Sequence, residues 1–350
     1  MNRDLVQAFM ARFMEMASGA AVLGIVGVGD RTGLFAKMAG QGPLTLAQIV
    51  ERTGLQERYL REALSSLAAA QILRYDPAAE TFELPDEHAT CLADERSPYF
   101  LGGWTQMVPA LMRAIPGVAR ACREGGGVSY AEFGEDMVAG IDRSNSPGMR
   151  ILLTRKWLPA MPDVVKRLRD GIRVADVGCG SGTATITMAK AYPSSRITGY
   201  DVDPTSIARA RAAAHSEGVT NAQFEQVGAE SLPVEPPFDF VTAFDVIHDT
   251  VNPRAVLRRI RQALHADGTF LMVEPYAGDR LEDNLHSGGA LLYAMSTLHC
   301  MTVSLAHGGE GLGAAWGAKR AEELCREAGF NRFRRLDIAN PFNAFYEIRP

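Results

Sequence analysis

Apolar positions in the N-terminal part of the chain recur at helical spacing. Leu5, Phe9, Phe13 and Met16 lie three or four residues apart and predict a helix over 4–16. A further helical pattern covers 20–39 and stops at Gly40-Gln41-Gly42-Pro43. Thr45 is placed to cap a short helix over 46–52 that ends at Gly54. Tyr59, Leu60, Leu64, Leu67 and Ala68 fall on one face of a helix over 56–71. Two runs with strand character, 72–75 and 81–84, are joined by the turn-forming Asp76-Pro77-Ala78-Ala79-Glu80. Helix, helix, helix and hairpin is the order of a winged helix.

Residues 99–168 read as helical and connecting, with Trp104, Met107, Met112, Phe133, Met149 and Trp157 as core or pocket residues. From 173 the pattern switches. Strand-like runs cover 173–177, 196–200, 222–226, 238–244, 269–274, 333–338 and 344–348, with helical patterns between the first five. The last two are separated by only a short turn and should pair antiparallel. An α/β fold follows, with a mostly parallel seven-stranded sheet behind an all-helical, winged-helix-like domain. The domains are expected at 1–98, 99–170 (a helical linker and pocket region) and 171–350.

Charge and cysteine usage narrow the functions. The net charge of -5 argues against a surface built for nucleic acid or anionic lipid. In the candidate recognition helix, Glu57 and Glu62 balance Arg58 and Arg61, so no nucleic-acid partner is expected. The five cysteines form no C-x-x-C pair, as in a reduced, cytoplasmic protein. The apolar stretch 17–29 is short for a membrane span, and no membrane partner is expected.

The chemistry concentrates where the first strand of the sheet turns into a helix, at Asp176-Val177-Gly178-Cys179-Gly180-Ser181-Gly182. Glycines at 178, 180 and 182 remove Cβ atoms and let a ligand lie against the backbone, and the following helix offers its N-terminus to an anionic group. The spacing is G-x-G-x-G, with Thr183 where a dinucleotide fold would place its third glycine, which disfavours a nicotinamide cofactor. Asp201 ends the second strand about 23 residues on, where a carboxylate can accept ribose hydroxyls. A second cluster, Gly27 to Gly33, lacks a strand and a later acid, and a helix crossing explains it.

Asp176-x-Gly178-x-Gly180-x-Gly182, Asp201 and the run Gly228-Ala229-Glu230 together resemble the class I S-adenosylmethionine-dependent methyltransferases. The resemblance implies S-adenosyl-L-methionine as cofactor, held by Asp176, Gly178, Gly180, Gly182, Asp201, Val202, Ala229, Glu230, Phe244 and Asp245. Many members carry Asp where this chain has Gly228. The segment Asp245-Val246-Ile247-His248-Asp249, which leaves the fourth strand, is similar to that of small-molecule O-methyltransferases with a winged-helix dimerisation domain. It implies His248 as general base, a homodimer formed through the N-terminal domain, and a small, hydrophobic or aromatic acceptor from specialised metabolism.

The long segment 276–316 reads as a lid, with a mobile-looking glycine run at 308–313 and with His299 placed to face His248. His248, Asp249 and His299 form a catalytic set that is also able to hold a metal ion. This is similar to bacterial α-keto acid C-methyltransferases, which use a bound iron to favour the enolate. A reading from another class is a DNA-binding regulator that senses a ligand through the sheet domain.

Overall fold

A computed structural model describes all 350 residues, which divide into two compact units: Met1–Ala110 with Glu135–Pro147, and Leu111–Gly134 with Gly148–Pro350. The middle segment 99–170 is therefore shared between the units.

The first unit opens with α1 (Arg3–Arg31) and α2 (Leu34–Met38). It continues through β1 (Leu44–Thr45), α3 (Leu46–Thr53), α4 (Glu57–Ala69), β2 (Arg74–Asp76), β3 (Thr81–Glu83) and α5 (Asp86–Leu92). Helices α6 (Trp104–Glu124) and α7 (Glu135–Leu152) each cross a unit boundary. The three strands form an antiparallel sheet in the order β1-β3-β2. Thr45 caps α3 through a reciprocal pair with Gln48, and Gly54 ends the helix at φ 70, a left-handed conformation that glycine adopts without strain. Phe35, Met38, Ile49, Leu60, Leu64, Leu67 and Leu84 close the core. On α4, Arg58 and Arg61 pair with Glu62 and Glu57 one turn away.

The glycine cluster at 27–33 serves packing: a Cβ on Gly29 would lie 2.7 Å from the Phe35 ring, and Gly27 lies against Thr105. Helix α1 runs unbroken for 29 residues where two helices are predicted, because Gly19 inside a helix costs only about 1 kcal/mol. The whole helix is long and apolar enough to cross a membrane by length and composition alone, a test that the core helix of a soluble protein also passes. The 20-residue stretch Ser287–Ala306 passes the same measure.

The second unit is built on seven strands: β4 (Arg173–Val177), β5 (Arg196–Asp201), β6 (Ala222–Gln226), β7 (Phe238–Phe244), β8 (Leu264–Pro275), β9 (Arg332–Arg335) and β10 (Asn343–Arg349). Their order is β6-β5-β4-β7-β8-β10-β9; the first five run parallel and β10 is antiparallel to both its neighbours. Helices α8 (Pro162–Asp170), α9 (Thr183–Ala191), α10 (Pro204–Ser216), α11 (Pro253–Ala263) and α14 (Gly317–Glu327) cover it. Side chains alternate between the faces as the strand period requires. Ala175, Val177, Val241, Ala243 and Met272 pack with Val256, Ile260 and Leu324, whereas Val174, Phe240, Leu271 and Val273 pack with Val164, Leu168 and Met188. Strand order reverses between β4 and β7, so their following loops diverge and leave a crevice at the carboxyl ends. Segment 276–316, expected as a loop, is mostly helical: α12 (Ser287–Met295), a π-helical turn Ser296–Cys300 and α13 (Met301–Ala306).

Candidate active site

The glycine loop after β4 divides its labour. Gly178 and Gly182 have positive φ and face protein: a Cβ on Gly178 would strike Val246, and one on Gly182 would lie 2.6 Å from Phe224 and 2.9 Å from Ala210. Gly180 also has positive φ but nothing within 4 Å of its Cβ position, so this is the glycine that faces open space. Its N–H donates to Asp201 Oδ2 at 2.8 Å, while Asp201 Oδ1 accepts from Asp203 N–H at 2.9 Å. The acid ending β5 thus fixes the loop and stands beside its open glycine.

Asp176 lies buried in β4 and accepts from Thr185 Oγ1 at 2.6 Å and Thr242 Oγ1 at 2.8 Å. Burial pushes its carboxyl up to about 6 against the pull of the two hydroxyls. Val202 is 67% exposed, Ala229 is half-buried and opens a short 3-10 turn, and Glu230 is exposed within that turn. Phe244 is buried at the end of β7.

The turn leaving β7 carries the reactive groups. Asp245 holds a positive φ of 55, uncommon for a side-chain-bearing residue, and burial pushes its carboxyl up to about 7. His248 is buried on a 3-10 turn, Ile247–Asp249, with its Nδ1 2.6 Å from Glu274 Oε2. The other carboxylate oxygen of Glu274 accepts the Ile247 N–H at 2.9 Å. A carboxylate on Nδ1 sets that nitrogen as the protonated one and leaves Nε2 as the site for accepting a proton. Burial alone would lower the imidazole, but the Asp249 and Glu274 charges outweigh it and hold His248 well above its ordinary value. Asp249 Oδ1 lies 3.1 Å from His248 Nε2, off the hydrogen-bonding axis, and is left without a donor. Its carboxyl is held down at about 2: burial opposes ionisation, and the charge of the neighbouring His248 overcomes it.

His299 sits on the π-helical turn, buried, with Nε2 unpartnered. Tyr130 and Phe133 flank its ring edge-on at centroid distances of 5.6 and 4.8 Å. Burial keeps His299 below its ordinary value and so neutral, although Asp249 draws it upward. The ligating atoms of His248, Asp249 and Cys300 lie within 4.8 Å of one another; His299 stands outside that group. The glycine run at 308–313 is tied down rather than loose. Glu310 N–H donates to Val251 O at 3.0 Å, its carboxylate pairs with Arg254, and Ser304 Oγ donates to Thr250 O at 3.0 Å. These bonds pin the chain just beyond the His248 turn.

Sequence reasoning missed Glu274, Tyr130 and Asn343, whose amide donates to Asp245 Oδ1 at 2.6 Å. Glu274 had a signal: it is the acid that closes the apolar run Phe270-Leu271-Met272-Val273. Residues 168–329 match a family model described as "Methyltransferase domain". That stretch is similar to a methyltransferase domain. Ahead of this domain, residues 20–94 match an "Rv2258c-like winged HTH domain". The chain is similar to trans-aconitate 2-methyltransferase of Methylobacterium nodulans, at 32% identity over 114 residues, 33% of this chain and 41% of the relative. It is also similar to ubiquinone biosynthesis O-methyltransferase of Leptothrix cholodnii, at 29% over 101 residues, 28% of this chain and 42% of the relative. The chain spans about two-fifths of the length of these relatives. In fold it resembles mitomycin 7-O-methyltransferase MmcR over 100% of both chains, with a TM-score of 0.73 and 18% identity. Human N-acetylserotonin methyltransferase in complex with SAM aligns over 98% of both chains, with a TM-score of 0.71 and 19% identity.

Two predictions follow from the loop and its buried acid. Gly180→Ala should cost about 1–2 kcal/mol of stability through its left-handed backbone, yet block the ligand that lies on it. Gly182→Ala adds collision with Phe224 and should cost about 2–4 kcal/mol. Thermal unfolding and calorimetric titration separate the two effects; equal ligand affinity in wild type and Gly180→Ala would refute the assignment. Asp176 holds its proton more tightly when folded, with an ordinary value of 3.8 raised to about 6. The stability this contributes is full below pH 3.8 and lost as pH rises through about 6. Relative to wild type, Asp176→Asn should therefore gain up to about 3 kcal/mol between pH 4 and pH 7.5 in denaturant unfolding. A difference that does not change with pH would rule this out.

Proposed function

We propose that the protein transfers a methyl group from S-adenosyl-L-methionine to an oxygen or carbon of a small hydrophobic or aromatic acceptor in specialised metabolism. The observation that carries this reading is the His248–Glu274 pair at the mouth of the β4–β7 crevice, next to a loop whose one open glycine stands over Asp201. The cofactor fits the residues present. Gly180 leaves room for a ligand against the backbone, Asp201 and Glu230 supply acceptors for sugar and base, and α9 begins where an anionic group is favoured. When bound, it supplies a methyl group activated by a sulfonium.

The chain's own contribution is alignment and proton removal. Glu274 keeps the Nδ1–H of His248 in place, so Nε2, once it has given up its own proton to solvent, accepts the proton that the acceptor's oxygen or carbon gives up as it forms its bond to the methyl carbon. The raised proton affinity of His248 favours this step at alkaline pH. Phe244 and Trp157, whose rings lie 6.3 Å apart, give the end of β7 an apolar backing. A homodimer through the first unit is supported by α1, where Leu5, Phe9, Met10, Phe13 and Met14 are all more than half exposed. The five cysteines are unpaired, which supports a reducing, cytoplasmic setting.

A second reading, iron-assisted C-methylation of an α-keto acid, is favoured by the unpartnered buried Nε2 of His299 and Oδ1 of Asp249. This reading takes His248, Asp249 and His299 as ligands, although the ligating atoms that lie within 4.8 Å of one another are those of His248, Asp249 and Cys300. A metal there would polarise a bound carbonyl and favour its enolate.

His248→Ala should lower turnover by about 10²–10⁴-fold and leave cofactor affinity nearly unchanged. Asp201→Ala should chiefly weaken cofactor binding. Loss of cofactor binding in His248→Ala would make that residue structural. For the second reading, protein purified without a histidine tag should carry metal that His299→Ala loses; a metal-free preparation with full activity removes it.

A further inference from the structure

Asp245 adopts a left-handed backbone where the chain leaves a buried strand, a strain that persists only where surrounding bonds enforce it. Two bonds do so. Its N–H donates to Val273 O at 2.8 Å, and its Oδ1 accepts from Asn343 Nδ2 at 2.6 Å across 98 residues of sequence. Asn343 is itself fixed. It opens β10 opposite Pro275, and its N–H and that of Phe342 donate to Asn340 Oδ1 at 3.0 and 2.8 Å. Phe342 O in turn accepts Tyr276 N–H at 2.8 Å. The hairpin between β9 and β10 is thus built to deliver one amide to one carboxyl.

The charge around that carboxyl indicates what it meets. Asp245, Asp249 and Glu274 gather about a single imidazole, His248. Asp249 and Glu274 outnumber the one imidazole they flank, and a cation beside Asp245 would draw its buried carboxyl into the charged form. The methyl-donating cofactor brings two cationic groups, its sulfonium and its α-ammonium.

We propose that Asn343 is a positioning residue that holds the Asp245 carboxyl toward the cationic end of the bound cofactor. This rests on the methyltransferase reading and adds to it a residue from the far hairpin. An amide that only closed the hairpin would leave cofactor binding unaffected when removed.

A double-mutant cycle tests this by calorimetric titration with S-adenosylmethionine and S-adenosylhomocysteine. Asn343→Ala and Asp245→Asn should each weaken S-adenosylmethionine by about tenfold or more, and the double variant should bind no more weakly than Asp245→Asn alone. Asn343→Asp, of equal size but with an acceptor in place of the donor, should weaken it at least as much. If Asp245 faces the sulfonium, S-adenosylhomocysteine affinity is spared; if it faces the ammonium, both ligands weaken together, and either pattern supports the positioning role. Asn343→Ala within twofold of wild type, or losses that add across the cycle, would overturn it. A wild type that binds neither ligand ends the methyltransferase reading and this proposal together, so the two failures are distinguishable. Unchanged thermal midpoints confirm that the variants fold.

Discussion

A carboxylate buried at the end of a strand costs several kcal/mol unless each oxygen is paired, and Glu274 resolves that cost in a single way. One oxygen takes the Ile247 N–H and the other takes the His248 imidazole, so both partners come from the turn after β7. The path of that turn is then dictated by the strand register, in which Phe244 lies opposite Val273, the residue before Glu274. The imidazole is placed by the sheet and needs no help from a flexible loop. Tautomer and orientation of His248 descend from this one buried pair, and its raised proton affinity from the charges of Asp249 and Glu274 together.

The same sheet sets up the other half of the site. Gly178 must lack a side chain because Val246, from the turn that carries His248, occupies the space. Gly182 must lack one because Phe224 of β6 and Ala210 of α10 do. The two glycines therefore knit the β4 loop to β7 on one side and to β6 on the other, and the third is freed for a ligand. Asp176, buried between Thr185 and Thr242, braces the base of the same loop from α9 and β7.

What could be read from the sequence was local. The winged helix, the succession of strands along the chain and the glycine loop rest on periodicity, caps and turns within short windows, and the cap at Thr45 and the run of β7 appear where the pattern places them. The length of α1 was misjudged because Gly19 looks like a break, yet a single glycine does not offset the bonds of the helix around it. Segment 276–316 was read as a loop because its apolar residues lack clear caps, and its π-helical turn breaks the ordinary helical period. Glu274 and Asn343 were not legible as partners of His248 and Asp245. They reach them only through the pairing of β7 with β8 and of β8 with β10, contacts that no short window contains.

The distribution of unmet polar atoms bears on why this arrangement persists. Buried donors and acceptors are almost always paired, and an unpaired one costs about 1–3 kcal/mol. His299 Nε2 and Asp249 Oδ1 are both unpaired; Asp249 adjoins His248, and His299 feels the charges of both. Tyr130 and Phe133 pack edge-on against the His299 ring, and neither offers its Nε2 a hydrogen bond. Selection for stability alone would replace such a histidine with an apolar residue of similar size. A buried imidazole with one nitrogen unsatisfied is a cost the fold carries beside His248, and a polar group or ion that reached that nitrogen would offset it.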